Sequence, residues 1–205
     1  RGQRIGLFAG SGVGKSVLAA NLGLYLSTLG RRVVLVDADP TGASLHTCLG
    51  TRPAPTAVRA RRSGRTSVPP EAEPMRETAL SGLKLLTLGL DEPASAASRA
   101  ERQGKVTARL REIQAEYVIV DLGTGLARES LDAYLDADLS VFVTVPEPAA
   151  IESTHRFLRA AFARFVSKAI ADSDMHAELE RRLRALGGVP APLDLLRELE
   201  QSGDP

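Results

Sequence analysis

A glycine-rich segment near the start of the chain constrains its fold more than any other feature. The sequence GSGVGKS occupies positions 10–16, between an apolar run, Arg4–Phe8, and a helical pattern, Lys15–Leu29. Glycines let the backbone curl so that successive N–H groups point inwards, and the following helix N-terminus adds a partial positive charge. The general motif is GxxxxGKS/T, and Ala9 stands in place of its first glycine. The segment predicts a phosphate-binding loop, with an ordinary glycine-rich turn as the alternative.

Each residue type in this loop suits one part of that chemistry. Lys15 is expected to contact β- and γ-phosphates as a point charge, and the Ser16 hydroxyl suits magnesium. Main-chain N–H groups would supply further contacts. The predicted phosphate-binding residues are therefore Gly10, Ser11, Gly12, Val13, Gly14, Lys15, Ser16 and Val17.

The rest of the chain alternates apolar strands with helical patterns. Further strands are predicted at 33–36, 83–88, 117–120 and 139–145, and helices at 42–49, 98–115, 131–135, 148–166, 175–186 and 193–199. Continuously apolar strands that alternate with helices are typical of a parallel sheet covered on both faces. The sequence therefore predicts an α/β fold, specifically a three-layer P-loop NTPase fold with a mostly parallel central sheet and helices on both faces.

Domain boundaries follow from changes in composition. We expect a nucleotide-binding domain over 1–166 and a short helical extension over 167–205. Residues 51–79 are rich in Pro, Arg, Ser and Glu and lack periodicity, which predicts a flexible loop within that domain. The chain opens with Arg1 rather than Met, and we interpret it as a trimmed piece of a longer protein.

Large apolar residues predict which sides of the helices are buried. The expected inward residues of the first helix are Val17, Leu18, Leu22, Leu26 and Leu29. Those of the helix at 148–166 are Ile151, Leu158, Phe162 and Phe165, with Phe157 beside them. Cys48 is predicted to be a small core residue.

Three aspartates follow two of the predicted central strands. Asp37 and Asp39 end the second strand, and Asp121 ends the strand at 117–120. Ligands bind beyond the carboxyl ends of strands in such sheets, and a carboxylate at Asp121 would hold magnesium through water. The i, i+2 spacing places Asp37 and Asp39 on one side, so one would support the metal and the other would orient a water. The alternatives are a helix cap or strand-end turn at Asp121 and plain turn residues before Pro40.

Composition excludes several classes of protein. The single cysteine, Cys48, rules out an intrachain disulfide framework and a CxxC metal or cluster site. No uncharged apolar run is long enough to span a membrane, and no signal peptide precedes the first strand, so we expect a cytoplasmic protein. The net charge of +1 argues neither for nor against nucleic acid. The basic residues Arg59, Arg61, Arg62 and Arg65 would suit nucleic acid or lipid phosphates, but nearby glutamates favour a solvated loop.

Four stretches together resemble the MinD/ParA family of P-loop ATPases, in particular the MinD-like group that includes FlhG and FleN. They are GVGKS at 12–16, VDAD at 36–39 followed by LHTCLG at 45–50, VIVDLGTG at 118–125 and TVPEPAAIESTHRF at 144–157. The resemblance covers most of the range from Arg4 to Val166.

This resemblance implies roles for individual residues. It implies ATP and Mg²⁺ as ligands, with Lys15 on the phosphates, Ser16, Asp37 and Asp121 at or near the metal, and Asp39 positioning the attacking water. Residues 121–123 would sense the γ-phosphate, which adds Gly123 to the cofactor-binding residues. The family implies an ATP-dependent homodimer with a protein partner, and peripheral association with the inner face of the membrane.

The chain departs from the family pattern in two places. The signature lysine that reaches the partner's nucleotide in the dimer is replaced by Gly10, so this is a deviant Walker A sequence without that lysine. The family's later strand, with an Asn and a basic residue near the adenine, is not found before Pro205. The favoured interpretation is an ATPase switch whose hydrolysis is slow or partner-dependent. The alternatives are a non-hydrolysing nucleotide sensor, an iron–sulfur assembly ATPase and a DNA-partitioning ATPase.

Overall fold

The structure is a computed structural model, and it describes a defined part of the chain. The described residues are 2–9, 14–39, 44–51, 75–88, 109–123, 126, 128–169, 177, 181, 191–194 and 197. Several predictions lie outside them: residues 10–13 of the phosphate-binding loop, the basic run, the helix before 109 and most of the extension after 169.

Six strands and four helices are described, together with a helical turn at 109–112. The strands are β1 Gln3–Ala9, β2 Val33–Ala38, β3 Arg76–Glu77, β4 Leu83–Thr87, β5 Tyr117–Leu122 and β6 Leu139–Val143. The helices are α1 Lys15–Thr28, α2 Leu45–Cys48, α3 Arg128–Leu135 and α4 Pro148–Ala169.

The strands form one sheet in the order β3-β4-β2-β5-β1-β6. Every described pairing is parallel except that of β3 with β4. The mostly parallel sheet confirms the predicted fold class. The prediction that 51–79 lacks regular structure was wrong at β3, which pairs with β4. A strand of two residues is too short to show a periodic sequence pattern, so no sequence signal indicated it. Residues 52–74 of that segment lie outside the described residues.

Helices cover both faces of this sheet. Ile5, Leu35 and Ile119 are register partners in neighbouring strands and form a buried cluster with Ala19 and Ala20 of α1. The opposite face meets the end of α3, since a Cβ added to Gly6 would lie 3.3 Å from the Ala137 side chain and 3.8 Å from the carbonyl of Ala133. The two-faced covering predicted from the continuously apolar strands is therefore confirmed.

The buried side of α1 differs from the prediction. Lys15, Ala19, Gly23 and Ser27, spaced four residues apart, are buried together with Ala20, whereas Val17, Leu18 and Leu29 are exposed. A Cβ at Gly23 would lie 2.9 Å from a Leu35 methyl group, so the helix lies too close to the sheet for a larger residue at that position. Leu22 and Leu26 are partly buried against the core as predicted, whereas the predicted inward position was wrong for the exposed Val17, Leu18 and Leu29.

The chain forms two compact units, which comprise Arg1–Val143 and Thr144–Pro205. α4 belongs to the second and continues to Ala169, past the boundary predicted at 166; the domain division itself stays a prediction. Within α4, Phe157 and alanines at 150, 160, 161 and 163 are buried.

Other burial predictions also need correction. Ile151, Leu158 and Phe165 of α4 are exposed, and so is Cys48, which follows the buried Leu45 on the short helix α2. Within α4, the prediction was therefore wrong for Ile151, Leu158 and Phe165, whereas Phe157 is fully buried. None of the helices in the described part is both long enough and apolar enough to cross a lipid bilayer.

We expect Gly23→Val to destabilise the protein by about 1–3 kcal/mol, because the added atoms overlap the fully buried Leu35 side chain. Asn21→Val is the matched control, since Asn21 is an exposed residue of the same helix and its change should stay within about 0.5 kcal/mol. Urea unfolding of both variants measures this difference. Equal stability of the two variants would show that α1 does not lie as close to the sheet as described.

Candidate functional site

Acidic residues meet at the carboxyl edge of the central strands. Asp37 and Asp121 are register partners near the ends of β2 and β5, and β5 also pairs with β1, the strand that precedes the glycine-rich segment. Asp39 follows the end of β2. Because neighbouring parallel strands end at the same edge, residues distant in sequence come together beside the start of α1.

Lys15 lies at the centre of this group. Its Nζ donates hydrogen bonds to Asp39 Oδ2 at 2.8 Å and to Asp121 Oδ1 at 3.0 Å. Burial alone would lower the pKa of Lys15, but the hydrogen bonds and charges of the two carboxylates outweigh it and raise the pKa. The ammonium is therefore held in its charged form by the strand-end acids.

The start of α1 directs Lys15 towards those acids. Gly14 has φ +26°, in the region that favours glycine, and its carbonyl accepts the N–H of Leu18 at 2.9 Å. Lys15 is thus the first helical residue, and it heads the same inward row of small residues that packs α1 on the sheet. The turn and the packing together fix where its side chain leaves the backbone.

Asp121 is the most buried of the three acids. It is fully buried, and burial raises its pKa against the opposing effects of the Ser16 hydroxyl and the Lys15 ammonium. Its Oδ2 is a buried atom that accepts no hydrogen bond within the described part of the chain. An oxygen in this position has capacity for a cation or a water.

Asp37 anchors the short helix α2. Its Oδ2 accepts the N–H of Leu45 at 2.9 Å, and its Oδ1 accepts the N–H of Asp39 at 3.4 Å. Burial raises the pKa of Asp37, the Leu45 N–H opposes this, and the charge of Asp121 adds to it. These contacts show Asp37 holding the main chain, and its contact with a metal stays a prediction.

Ser44 belongs to the site, although sequence reasoning did not select it. Its Oγ donates a hydrogen bond to Ser16 Oγ at 3.0 Å, which joins the start of α2 to the first turn of α1. Its position immediately before a predicted helix was the available sequence signal, and serine is common there for capping alone. The contact with a residue 28 positions earlier could not be deduced from that position.

The structure brings together five of the predicted site residues, namely Lys15, Ser16, Asp37, Asp39 and Asp121. Gly123 is buried directly after β5, and Val17 is exposed on the first turn of α1. Gly10, Ser11, Gly12 and Val13 lie outside the described residues. The roles of all these residues in binding and catalysis stay predictions.

The oxygen atoms present fit Mg²⁺ held together with a nucleotide. Within the described ranges, no group of three or more His, Cys, Asp or Glu side chains forms a metal cage. Mg²⁺ keeps several waters and takes one or two protein oxygens plus phosphate oxygens, which matches the Ser16 hydroxyl and the unused Oδ2 of Asp121. When bound there, Mg²⁺ would neutralise charge on the phosphates.

The charges of the described residues favour a cation beside any bound phosphate. Among these residues, three carboxylates lie around the Lys15 ammonium, so the four side chains carry a net negative charge when all are ionised. A polyphosphate entering alone would be repelled and would compete with Asp39 and Asp121 for Lys15. The arrangement therefore favours phosphate and divalent cation binding together rather than separately.

A family sequence profile matches most of the chain. The family is described as the CobQ/CobB/MinD/ParA nucleotide binding domain, and the match covers residues 9–196.

Curated relatives show the same similarity over part of their length. The iron-sulfur cluster carrier protein of Bacillus subtilis is 29% identical over 147 residues, which cover 68% of this chain and 38% of that protein. The septum site-determining protein MinD of Synechocystis is 30% identical over 149 residues, which cover 72% of this chain and 54% of that protein. The chain thus spans about half or less of the length of these relatives.

A solved structure supports the fold. The ATP complex of a McdA variant from Cyanothece superposes with a TM-score of 0.59 at 24% identity, covering 83% of this chain and 66% of that one.

We expect Lys15→Met to lower the free energy of unfolding at pH 7.5 by about 3–5 kcal/mol, because it leaves two buried carboxylates without their cation. The pKa of Asp121 is already raised in the folded protein, so the cost of its charge disappears as the pH falls through that folded pKa. The deficit should therefore shrink at pH 5. Urea unfolding at both pH values measures it.

Lys84→Met is the control, because Lys84 pairs with Glu77 at the surface and its loss should cost about 0–1 kcal/mol at either pH. A Lys15→Met deficit as small as this control would contradict the described ion pairs.

Proposed function

Because the chain belongs to the CobQ/CobB/MinD/ParA nucleotide-binding domain family, we propose that it is an ATP-binding, ATP-hydrolysing switch. Its nucleotide state would control dimerisation and the binding of a protein partner. The observation that carries the proposal is the position of Lys15, at a helix start and between carboxylates that end two neighbouring central strands.

The contacts of Lys15 suggest how the site responds to ATP. The Lys15 ammonium is shared by Asp39 and Asp121. Phosphate groups at the helix start would draw the ammonium towards themselves, with Mg²⁺ supplying the charge that the two acids then lack. Asp39 would lose this contact and become able to orient a water towards the γ-phosphate, as its resemblance to the family's aspartate implies. A change in nucleotide would therefore change the surroundings of Asp39.

Hydrogen bonds connect Asp39 to the neighbouring helix α2. Asp39 donates its N–H to Asp37, which in turn holds the N–H of Leu45 in α2. Ser44 connects the same helix start to Ser16. The positions of Asp37, Asp39 and the start of α2 would therefore depend on whether nucleotide is bound, as in other nucleotide switches.

The cellular role is proposed from the relatives. Septum site-determining MinD is among them, and we propose a related role in cellular positioning, such as flagellar or division-site placement. The proposal includes an ATP-dependent homodimer, a cytoplasmic location and peripheral membrane association. Although an iron-sulfur cluster carrier is also among the relatives, the present sequence contains one cysteine and offers no CxxC pair for a cluster.

A second candidate function is a nucleotide sensor that binds ATP without hydrolysing it. The observation that favours it is Gly10, which stands where the resembled family has its signature lysine. Loss of one positive donor from phosphoryl transfer typically lowers the rate by several orders of magnitude. Binding through Lys15 would then persist while turnover is absent.

Isothermal titration should show that ATP binds with Mg²⁺ and at least about tenfold more weakly without it, because the acidic cluster repels phosphates in the absence of a cation. ADP and GTP titrations measure the choice of nucleotide. Lys15→Ala should abolish binding, and the surface variant Lys84→Ala should bind like the parent protein. Binding that is equally strong without Mg²⁺, or that survives Lys15→Ala, would refute the proposed site.

Phosphate release distinguishes the two candidate functions. For the ATPase, Asp39→Ala should reduce Mg²⁺-dependent release by about a hundredfold or more while ATP still binds. Glu77→Ala, an exposed carboxylate paired with Lys84, serves as the control and should leave release unchanged. ATP binding without any release by the parent protein, alone or with its partner, would replace the ATPase with the sensor.

A further inference from the structure

A cavity lies at the amino ends of the central strands, whereas the aspartate cluster lies at their carboxyl ends. It has a volume of about 360 Å³ and is lined by Arg4, Arg32 and Arg111 and by the apolar residues Leu110, Ile113 and Val118. Arg4 and Val118 are register partners near the starts of β1 and β5, whereas Asp121 lies near the end of β5. This volume falls in the range of small-molecule sites.

The three guanidinium groups are held loosely by their neighbours. Arg4 Nε lies 3.5 Å from Asp138, Arg111 Nη2 lies 3.5 Å from Asp136, and Arg32 Nε lies 3.8 Å from Glu116. Strong charge-assisted hydrogen bonds are about 2.7–2.9 Å long and often bidentate for arginine, and none of these pairs has that geometry. Because a guanidinium carries five N–H donors, each of the three retains donors for another acceptor.

Two of the neighbouring acids are already engaged by shorter bonds to other donors. Asp138 accepts the main-chain N–H of Arg4 at 2.7 Å. Glu116 accepts the main-chain N–H of Arg32 at 2.9 Å and a side-chain N–H of Arg31 at 3.2 Å. The main-chain N–H of Arg32 lowers the pKa of Glu116 most, followed by the Arg31 side chain, and the charge of the Arg32 guanidinium contributes less. Asp138 and Glu116 thus each accept a main-chain N–H at a shorter distance than their contact with a guanidinium that lines the cavity.

The three arginine side chains also differ in solvent exposure, and the two exposed ones are accessible to a ligand. The Arg4 side chain is 18% exposed and held at the start of β1, whereas those of Arg32 and Arg111 are 74% and 58% exposed. These arginines line the same cavity as Leu110, Ile113 and Val118, so the cavity offers both cationic and apolar side chains to one ligand.

We propose that this cavity binds a small molecule that carries an oxyanion, a phosphate or a carboxylate, attached to an apolar group. The site is separate from the one at Lys15, because the two lie at opposite ends of the same parallel strands. It does not depend on the proposed ATPase function.

The arginine Nε–Hε signals in nuclear magnetic resonance spectra of the labelled full chain test this site. Phenyl phosphate, benzoate and inorganic phosphate are the probes, titrated at constant ionic strength kept with sodium chloride. We expect saturable shifts at Arg32 and Arg111, with phenyl phosphate or benzoate binding more tightly than inorganic phosphate because of the apolar residues that line the cavity. The first two probes distinguish phosphate from carboxylate, and the main-chain signals of Gly14 and Lys15 report any binding at the other site.

Matched variants separate the cavity from general surface charge. Arg111→Gln and Arg32→Gln should each weaken binding by about tenfold, the effect of one lost charge-assisted hydrogen bond. Arg109→Gln is the control, since Arg109 pairs with Glu112 and does not line the cavity. Shifts that do not saturate, that sodium chloride reproduces, or that the control variant reduces equally would overturn the proposal.

Discussion

The interaction of one buried ammonium with two strand-end carboxylates organises the whole described site. Lys15 reaches Asp39 and Asp121, and through them it connects the start of α1 to β2 and β5. Buried charges are tolerated when they are paired and hydrogen-bonded, so this arrangement requires all three residues at once. The three described acids outnumber the lysine, and this imbalance would favour an additional cation in the proposed phosphate site. The same charges would then govern both the stability of the site and the proposed ligand binding.

The short helix α2 extends this organisation into the hydrophobic core. Leu45 is fully buried in the cluster formed by β1, β2, β4, β5 and α1, and its N–H is held by Asp37. Ser44 adds the bond to Ser16. The polar network and the apolar core therefore share one residue pair, Ser44 and Leu45. The aspartates and the packing of the sheet are thus linked by contacts of these two neighbouring residues.

Sequence patterns predicted the strands and the main acids well, because both depend on local order along the chain. Continuously apolar strands predicted the parallel sheet, and the aspartates near the ends of two of them predicted the meeting of Asp37 and Asp121. The prediction that all large apolar residues of α1 and α4 face inwards was only partly right: Leu22, Leu26 and Phe157 are packed or buried, whereas Val17, Leu18, Leu29, Ile151, Leu158 and Phe165 are exposed. In α1, the close approach of Gly23 to Leu35 leaves no room for a larger residue at that position. Contacts such as Ser44 with Ser16, and the cavity formed by Arg4, Arg32 and Arg111, join residues far apart in sequence and carry no local pattern.

The close packing at Gly23 has a mechanical consequence for the lysine two turns away. Gly23 is eight residues from Lys15 along the same straight row of α1, a distance of about 12 Å at 1.5 Å per residue. If the helix pivots at Gly23 by about 5°, the backbone of Lys15 moves by about 1 Å. Displacements of this size can cost a reaction about a hundredfold in rate. The packing of Gly23 on Leu35 would therefore control the position of the Lys15 ammonium, although this contact lies about two turns from the proposed ligand site.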